Sequence, residues 1–515
     1  MVGTQLIKDS PSLGLRIPNV ARLLAFVFAA LVFYGGLRTI LFTGELPLIW
    51  PVLAALLSIT FLFGVSRVKD SVVGLARFGF HIGLFAYFLS LPILFPAAIE
   101  PGFPDEVHQT IGWMLILVIL GFEAGYKLKA FFWRAKAPTE QAMSFRPQQR
   151  RVVALLIFLG LVIWLVATID YSLAADVSLW DILLAMRRQI EGAIESPTTK
   201  LGIWSYLFTG GLYLATAAAF VLLNHINLKR SNRFHLNTIV ICWAVLVLCC
   251  VLGFLSGSRA LFLYSFAPLV LALWVRLSIA HLGKALRLIA VSVAGVALIA
   301  AWLAISTMRG RDADTYQESF QTIQPLEAAR GAFDIYSSSA IIIQAFPEKL
   351  DYEYGRSLVP LVLGWLPRSL WPDKPYPFSI YANSIQGETL EYRSASIAVG
   401  LPGEGYGNFG LFGVFLWGLL MGFACRVADD YLKRFHASDP LRLFLGASVC
   451  IWAAMIVRGG VAEMFYMGLQ VNIFPIALSV ILKTMENRSG WAIATRFFGS
   501  NRLLAPDKSL GSDAV

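Results

Sequence analysis

The feature that most constrains this chain is a series of apolar runs, each close to the ~20 residues that a helix needs to cross a bilayer. Short basic clusters separate the runs. Of the 515 residues, 57% are hydrophobic and 14% are charged. A soluble fold of this length needs more polar surface than this composition supplies. The sequence therefore excludes a cytosolic enzyme, a disordered protein and a nucleic-acid-binding protein. It predicts an all-α, polytopic membrane helix bundle.

We expect about twelve membrane-spanning helices from the lengths of the apolar runs. The predicted spans cover residues 20–42, 46–66, 72–95, 110–126, 152–169, 201–223, 236–255, 261–279, 286–307, 407–427, 441–457 and 464–482. The first nine helices thus occupy residues 1–307, with an outer amphipathic segment near 176–196. A large outer loop follows at 308–406, then the last three helices at 407–482 and a cytoplasmic tail at 483–515.

Lys and Arg residues favour every second loop, which is the pattern of cytoplasmic loops in membrane proteins. The loop after the third predicted span, by contrast, holds Glu100, Asp105 and Glu106 and no Lys or Arg. The alternation predicts an even number of spans with both termini in the cytoplasm. The loop at 308–406 then lies outside, and it is too long to be a simple connector.

Cations on the outer side go against this orientation bias and call for another reason. The predicted set is Arg259, Arg309, Arg356, Arg368, Lys374, Arg393 and Arg458, and Arg311 lies beside Arg309. A guanidinium binds phosphate oxygens through a planar fork of donors. We therefore predict that this set binds an anionic substrate such as a lipid diphosphate. Pairing with outer carboxylates or with lipid head groups is the alternative interpretation.

The large outer loop contains a short apolar run at 361–366, which is too short to span a bilayer. Prolines at 367, 372, 375 and 377 prevent a continuous helix. The pattern predicts a re-entrant or interfacial element. Trp365 lies within this run and Trp371 follows it, and both suit the level of the lipid head groups, although either ring could instead pack against a sugar.

A glycine-rich segment at 400–413 leads into the tenth predicted span and has six glycines in fourteen residues. Such a segment lets the backbone pack closely or turn tightly just above the membrane, and Glu404 lies within it. A carboxylate in that position suits a general base, or a partner that orients an arginine. The other candidate carboxylates are Asp373, Glu388, Glu391 and Glu463.

Two further motifs do not predict a catalytic or metal-binding site. Asp312 and Asp314 form a lone DxD motif, which is too weak to predict a metal site. Arg77 and His81 lie one helical turn apart in the third predicted span, and this spacing predicts a buried polar contact rather than catalysis. We expect neither a metal nor a cofactor.

Three stretches resemble bacterial O-antigen polymerases of the Wzy type, which are relatives of the O-antigen ligases. They are Ser256-Gly257-Ser258-Arg259, then Gly355-Arg356 with residues 366–375, and the glycine-rich residues 403–410 that enter a span. The resemblance implies an inverting, metal-independent glycosyltransferase on the outer face of the inner membrane. The implied donor is a growing glycan on undecaprenyl diphosphate, and the implied acceptor is the next lipid-linked repeat unit. It also implies contact with membrane lipids and leaves room for a chain-length regulator protein as a partner.

Other function classes stay open at this point. A ligase would hand finished glycan to another lipid or protein. A lipid or solute transporter would place its ionisable residues near mid-bilayer, whereas here they cluster in outer loops. A lipid-phosphate-sugar transferase would need a larger first outer loop than Thr43-Gly44-Glu45.

Overall fold

A computed structural model describes residues 74–89, 103–132, 147–175, 200–225, 233–255, 259–279, 335–363, 398–433 and 439–486, together with isolated residues between them. Every regular element in these ranges is helical, and they contain no strand. The all-α prediction is confirmed for this part of the chain. The first two predicted spans, the segment near 176–196, most of 308–406 and the tail beyond 486 lie outside the described residues.

The helices follow one another along the chain with few other elements. They are α1 Leu75–Leu84, continued by a π-helical turn Phe85–Leu89, α2 Asp105–Phe132, α3 Pro147–Ala175, α4 Lys200–His225, α5 Arg233–Leu255, α6 Arg259–Ile279, α7 Tyr336–Ala345, α8 Val359–Leu363, α9 Gly400–Leu432, α10 Pro440–Arg458 and α11 Val461–Glu486. A 3₁₀ turn, Arg356–Leu358, precedes α8.

Within the described ranges, six helices are long and apolar enough to cross a bilayer, namely α2, α3, α5, α9, α10 and α11. Shorter apolar stretches occupy Leu75–Phe88 and Leu261–Leu277. The chain is therefore a multi-pass membrane protein. The count of about twelve spans depends also on segments outside the description and stays a prediction.

Most helices extend a few residues beyond the predicted spans because polar residues stabilise their ends. Helix α2 begins at Asp105 rather than 110, with Asp105 and Glu106 in its first turn, where a helix N-terminus favours negative charge. Helix α10 begins after Asp439, whose side chain accepts a hydrogen bond from the N–H of Leu441 at 2.9 Å. Hydropathy locates the apolar part of a helix, whereas capping residues determine where it ends.

Small residues bring the helix backbones into direct contact. Helices α2 and α9 form the most extensive pair among the described elements. Gly121 and Gly125 of α2 face Gly418 and Gly422 of α9, and both pairs have the four-residue spacing typical of close helix crossings in membranes. A Cβ atom added to Gly422 would lie 1.9 Å from the carbonyl oxygen of Phe122. The interface therefore depends on the absence of side chains.

Close backbone contact at glycines also joins two further helix pairs, α1 with α10 and α3 with α4. A Cβ atom on Gly79 of α1 would lie 2.1 Å from the carbonyl oxygen of Cys450 in α10. Gly160 of α3 and Gly211 of α4 face each other, and a Cβ on either would lie 2.7 Å from the other's carbonyl oxygen. Lipid tails compete poorly with such contacts because two backbones gain dispersion energy along their whole crossing.

A buried ion pair ties α1 to α2. Arg77 donates through Nε and Nη2 to the two carboxylate oxygens of Glu123, at 2.8 and 2.6 Å. Nε2 of His81 lies 3.0 Å from Glu123 Oε1. The buried polar contact predicted for Arg77 and His81 is confirmed, and Glu123 is the partner of both. A bidentate ion pair of this kind holds the two helices together and also fixes their register.

A second buried carboxylate ties the same helices to α9. Asp429 is fully buried, and its Oδ2 accepts a hydrogen bond from the hydroxyl of Tyr126 in α2 at 2.6 Å. Its Oδ1 accepts from the N–H of Ala76 in α1 at 3.4 Å. Helices α1, α2 and α9 are thus fixed together at the Asp429 end of α9. The other end of α9 carries Glu404.

We expect Gly422→Ala to destabilise the bundle. The added methyl group would overlap the backbone of α2, and overpacking of this kind costs on the order of 1–3 kcal/mol. The apparent melting temperature of the purified protein in detergent should fall by a few degrees. Gly295→Ala is the matched control, because no atom of the described residues lies within 4 Å of a Cβ at Gly295. Equal melting temperatures for the two variants would contradict the backbone contact.

Candidate functional site

Helix α9 is broken near its beginning. Phe409 (φ −147°, ψ 24°) and Gly410 (φ 62°, ψ −150°) leave the helical conformation, which separates a short helix at 400–408 from a long one at 411–432. Only glycine adopts the Gly410 conformation without strain. A Cβ atom on Gly413 would lie 2.1 Å from the carbonyl oxygen of Gly405, so the two parts pack backbone against backbone.

This geometry decides between close packing and a tight turn, the two arrangements predicted for 400–413. The segment is helical with one break, and α9 begins at Gly400 rather than at 407. Glycine is typical both of turns and of close packing, and here most of the glycines serve close packing. The boundary between the outer loop and the last helices consequently lies before Glu404, and Glu404 belongs to a helix.

Glu404 is 1% exposed, and both of its carboxylate oxygens accept hydrogen bonds. The N–H of Val461, the first residue of α11, donates to Oε2 at 2.5 Å. The hydroxyl of Ser357 donates to Oε1 at 3.3 Å. The positive end of the α11 dipole favours a negative charge at this position. Glu404 therefore joins α9 to α11 and to the segment before α8.

Asn408 lies one helical turn after Glu404 and is fully buried. Its amide nitrogen donates to the carbonyl oxygen of Glu404 at 2.8 Å and to the hydroxyl oxygen of Ser357 at 2.9 Å. Its amide oxygen accepts from the N–H of Gly355 at 2.9 Å. The Ser357 hydroxyl lies within hydrogen-bond distance of two acceptors, Oε1 of Glu404 at 3.3 Å and Oδ1 of Asn408 at 3.2 Å. Asn408 therefore holds the Ser357 hydroxyl beside Oε1 of Glu404.

The break in α9 also explains why residues 353–357, the segment before α8, pack against the short helix that carries Glu404. The carbonyl oxygens of Gly407 and Asn408 lack donors further along the same helix, as at any helix end. They accept instead from the N–H groups of Glu353 and Tyr354, at 3.0 and 3.1 Å. At the other side of the segment, the hydroxyl of Tyr466 donates to the carbonyl oxygens of Pro360 and Leu361, at 2.8 and 3.1 Å.

Two of the predicted arginines lie beside the residues that contact Glu404. Arg356 is exposed and directly precedes Ser357. Arg458 is the last residue of α10, three positions before Val461, and its Nε is buried with no hydrogen-bond partner among the described residues. Both chain segments that bond Glu404 therefore carry one predicted cation. Arg356, Glu404 and Arg458 converge on one end of the bundle.

The other predicted residues have different placements. Arg259 lies between the spans predicted at 236–255 and 261–279, and in the structure it begins α6, while the preceding helix ends at Leu255. Trp371 is half-buried and Asp373 is exposed. Those outside the described residues are Arg309, Arg368, Lys374, Arg393, Trp365, Glu388 and Glu391, as are the side chains of Arg259 and Glu463.

The sequence analysis did not assign Ser357, Asn408 or Tyr466 to the site. Asn408 is four residues after Glu404, so its side chain lies on the same helix face. Treating the glycine-rich segment as a helix would have identified it. Ser357 and Tyr466 carry no such signal, because they join the site through contacts between distant parts of the chain.

The fold and the site define a multi-pass helical membrane protein with a buried carboxylate beside a broken helix and an arginine on each neighbouring segment. Two curated proteins named O-antigen polymerase, from Salmonella typhimurium and Salmonella typhi, are similar to it. Each is 21% identical over 336 residues, which cover 64% of this chain and 71% of the relative. No family model matches the chain, and no solved structure matches it.

We expect Gly410→Ala to disrupt the break in α9. The left-handed φ of 62° is unfavourable for alanine, and such strain costs on the order of 1–3 kcal/mol. Its Cβ would also lie 3.0 Å from the hydroxyl oxygen of Tyr352. Thermal unfolding in detergent should occur at a lower temperature than for wild type or for Gly295→Ala. An unchanged transition would show that the break tolerates an ordinary residue.

Proposed function

We propose that this chain is a glycosyltransferase that polymerises oligosaccharide repeat units carried on undecaprenyl diphosphate. The observation that carries the proposal is the contact of Glu404 with two segments that bear Arg356 and Arg458. Its similarity to two proteins named O-antigen polymerase supports the same function. In this proposal the protein lies in the bacterial inner membrane with both termini in the cytoplasm. The Glu404 end faces outward, and a chain-length regulator protein and membrane lipids are its partners.

The proposed reaction is a single displacement that inverts the anomeric centre. A hydroxyl oxygen of the acceptor repeat unit attacks the anomeric carbon of the donor glycan. The bond from that carbon to the diphosphate oxygen breaks, and the diphosphate leaves with the electron pair. The acceptor's proton passes to Glu404. No nucleotide is needed, because the lipid diphosphate is already a good leaving group.

Arginines supply the charge stabilisation in this mechanism. As the diphosphate departs, negative charge grows on its oxygens, and fixed guanidinium groups lower the energy of that state. Arg356 and Arg458 are the proposed contacts at the described site. The remaining members of the proposed diphosphate set are Arg259, Arg309, Arg368, Lys374 and Arg393, with Trp365 and Trp371 as proposed sugar contacts.

The two oxygens of Glu404 have different tasks in the proposal. Oε2 is held at 2.5 Å by the N–H of Val461, which fixes the carboxylate in place. Oε1 receives a longer bond of 3.3 Å from Ser357. Because a bond of that length is weak, the acceptor hydroxyl can replace the serine as donor to Oε1. Oε1 is therefore the proposed proton acceptor.

Loss of the chain should change the lipid-linked glycans of its host. If it polymerises repeat units, a deletion strain should accumulate single lipid-linked units, and a plasmid copy should restore long chains. Electrophoresis and mass spectrometry of extracted glycolipids measure this. Full-length chains that stay on the lipid carrier would indicate a ligase instead. An unaltered pool of lipid-linked glycans would favour a transporter of another substrate.

We expect Glu404→Gln to lower turnover by about 10²- to 10⁴-fold, the usual effect of removing a general base. Glutamine keeps the shape and can still accept from Val461, but it cannot take up the proton. Donor binding should change little, since the arginines meet the diphosphate. Purified protein with lipid-linked repeat units allows turnover and binding to be measured separately.

Asp429→Asn is the matched control for this experiment. Asp429 is equally buried and also accepts from one hydroxyl and one backbone N–H, but it lies at the other end of α9. Its amide variant should lower thermal stability and leave turnover per folded molecule near wild type. If Glu404→Gln behaves like Asp429→Asn, Glu404 has an anchoring role only, and the base is another carboxylate.

A further inference from the structure

Tyr354 has an unusual backbone conformation for a bulky residue. Its φ is 45°, and it is the one residue other than glycine with positive φ among the described residues. Bulky side chains rarely adopt the left-handed region, because the Cβ atom crowds the backbone. Such strain persists only where neighbouring structure enforces it, and it is most frequent at functional sites.

Hydrogen bonds on both sides enforce this conformation. Three successive N–H groups, those of Glu353, Tyr354 and Gly355, donate to the carbonyl oxygens of Gly407 and Asn408 and to the Asn408 side chain, at 3.0, 3.1 and 2.9 Å. Their acceptors belong to the short helix that carries Glu404. The backbone of Tyr354 is therefore fixed relative to the proposed base.

The ring of Tyr354 gains little from this arrangement within the protein itself. The residue is 70% exposed, although tyrosine is among the larger apolar side chains. Its ring meets Phe409 and Tyr352 edge-on, with centroids 6.3 Å apart in each case. Two residues further on, the side chain of Arg356 is also exposed. An aromatic ring and a guanidinium are thus both exposed on the short segment whose Ser357 bonds Glu404.

We propose that Tyr354 is a sugar-binding residue, on whose ring a pyranose of the lipid-linked glycan packs while Arg356 contacts the diphosphate. The C–H face of a pyranose is apolar enough to pack on an aromatic ring, and the phenol hydroxyl can bond to sugar hydroxyls. A side chain fixed in advance loses little entropy when it binds. This inference rests on the proposed function, since the ligand is the substrate of that reaction.

Insertion into the lipid head groups is the competing role for an exposed tyrosine. An anchoring residue needs neither a strained backbone nor a fixed relation to a buried carboxylate. A residue that anchors a protein in lipid does not need a fixed backbone, because lipid head groups have no fixed arrangement that its side chain would have to match. The three hydrogen bonds to the Glu404 helix therefore favour a sugar over a lipid head group.

The test uses the full-length protein in nanodiscs and two probes. One probe is the lipid-linked repeat unit extracted from a strain of the host that lacks this chain. The other is the oligosaccharide freed from it by mild acid, which has lost the diphosphate. Tyr354→Asn removes the ring, and asparagine tolerates the left-handed region. Arg356→Gln is the comparison variant that alters the diphosphate contact alone.

We expect Tyr354→Asn to bind both probes about tenfold more weakly, which matches the loss of one good aromatic contact. Its melting temperature should equal or exceed that of wild type, because the strain is relieved. Tyr354→Phe should keep most of the affinity. Arg356→Gln should weaken binding of the lipid-linked probe and leave binding of the free oligosaccharide unchanged.

The outcomes separate this inference from the proposed function. If Tyr354→Asn binds the free oligosaccharide as wild type does, Tyr354 is not a sugar contact, even where wild type polymerises. If the variant keeps both affinities but its yield in the membrane fraction falls, Tyr354 is a lipid anchor and the inference is overturned. If wild type binds the oligosaccharide through Tyr354 but forms no polymer, the sugar site stands and the proposed polymerase function fails.

Discussion

The interruption of α9 at Phe409 and Gly410 determines the rest of the site. A helix that stops inside a membrane protein leaves carbonyl groups without donors, and the bilayer offers no water to replace them. Residues 353–357 supply those donors, so a distant part of the chain is drawn to this position. Asn408 then bonds the docked segment from its side chain, and Ser357 is held beside Glu404. One broken helix thus assembles groups from three regions of the chain.

Helix α9 carries a buried carboxylate at each end, and the two differ in what surrounds them. Asp429 contacts helices that are already held by the Arg77–Glu123 pair. Glu404 contacts the start of α11 and a short segment, so its neighbours are helix ends rather than helix middles. Helix ends are the places where backbone donors remain available to a ligand. The same chemical group therefore joins the middles of helices at one end of α9 and the ends of helices at the other.

The sequence predicts those features that depend on local pattern. Hydropathy locates α2, α3, α5, α10 and α11 within a few residues, because a bilayer imposes a fixed apolar length. The bias against outer cations selects Arg356 and Arg458 as candidates, and their location on the outer side stays a prediction. The glycine-rich segment predicts either close packing or a tight turn, because glycine permits both. The approach of Gly413 to Gly405, which no local pattern shows, identifies close packing.

Contacts between distant residues escape prediction for a related reason. The spacing of Arg77 and His81 predicts a buried polar contact. Their partner, Glu123, lies on another helix, and no local sequence pattern identifies it. Ser357 and Asn408 are 51 residues apart in the chain. Their meeting follows from the break in α9 and the docking of the segment before α8. Neither event has a signature in a single apolar run.

The turn between α10 and α11 has a mechanical consequence. Only Gly459 and Gly460 separate the two helices, and the N–H that holds Glu404 belongs to the very next residue. A transmembrane helix adjusts its tilt to the thickness of the bilayer around it. Any change in the tilt of α11 therefore moves a hydrogen-bond donor relative to the Glu404 carboxylate. The composition of the surrounding membrane is coupled, through one short turn, to the charge environment of that group.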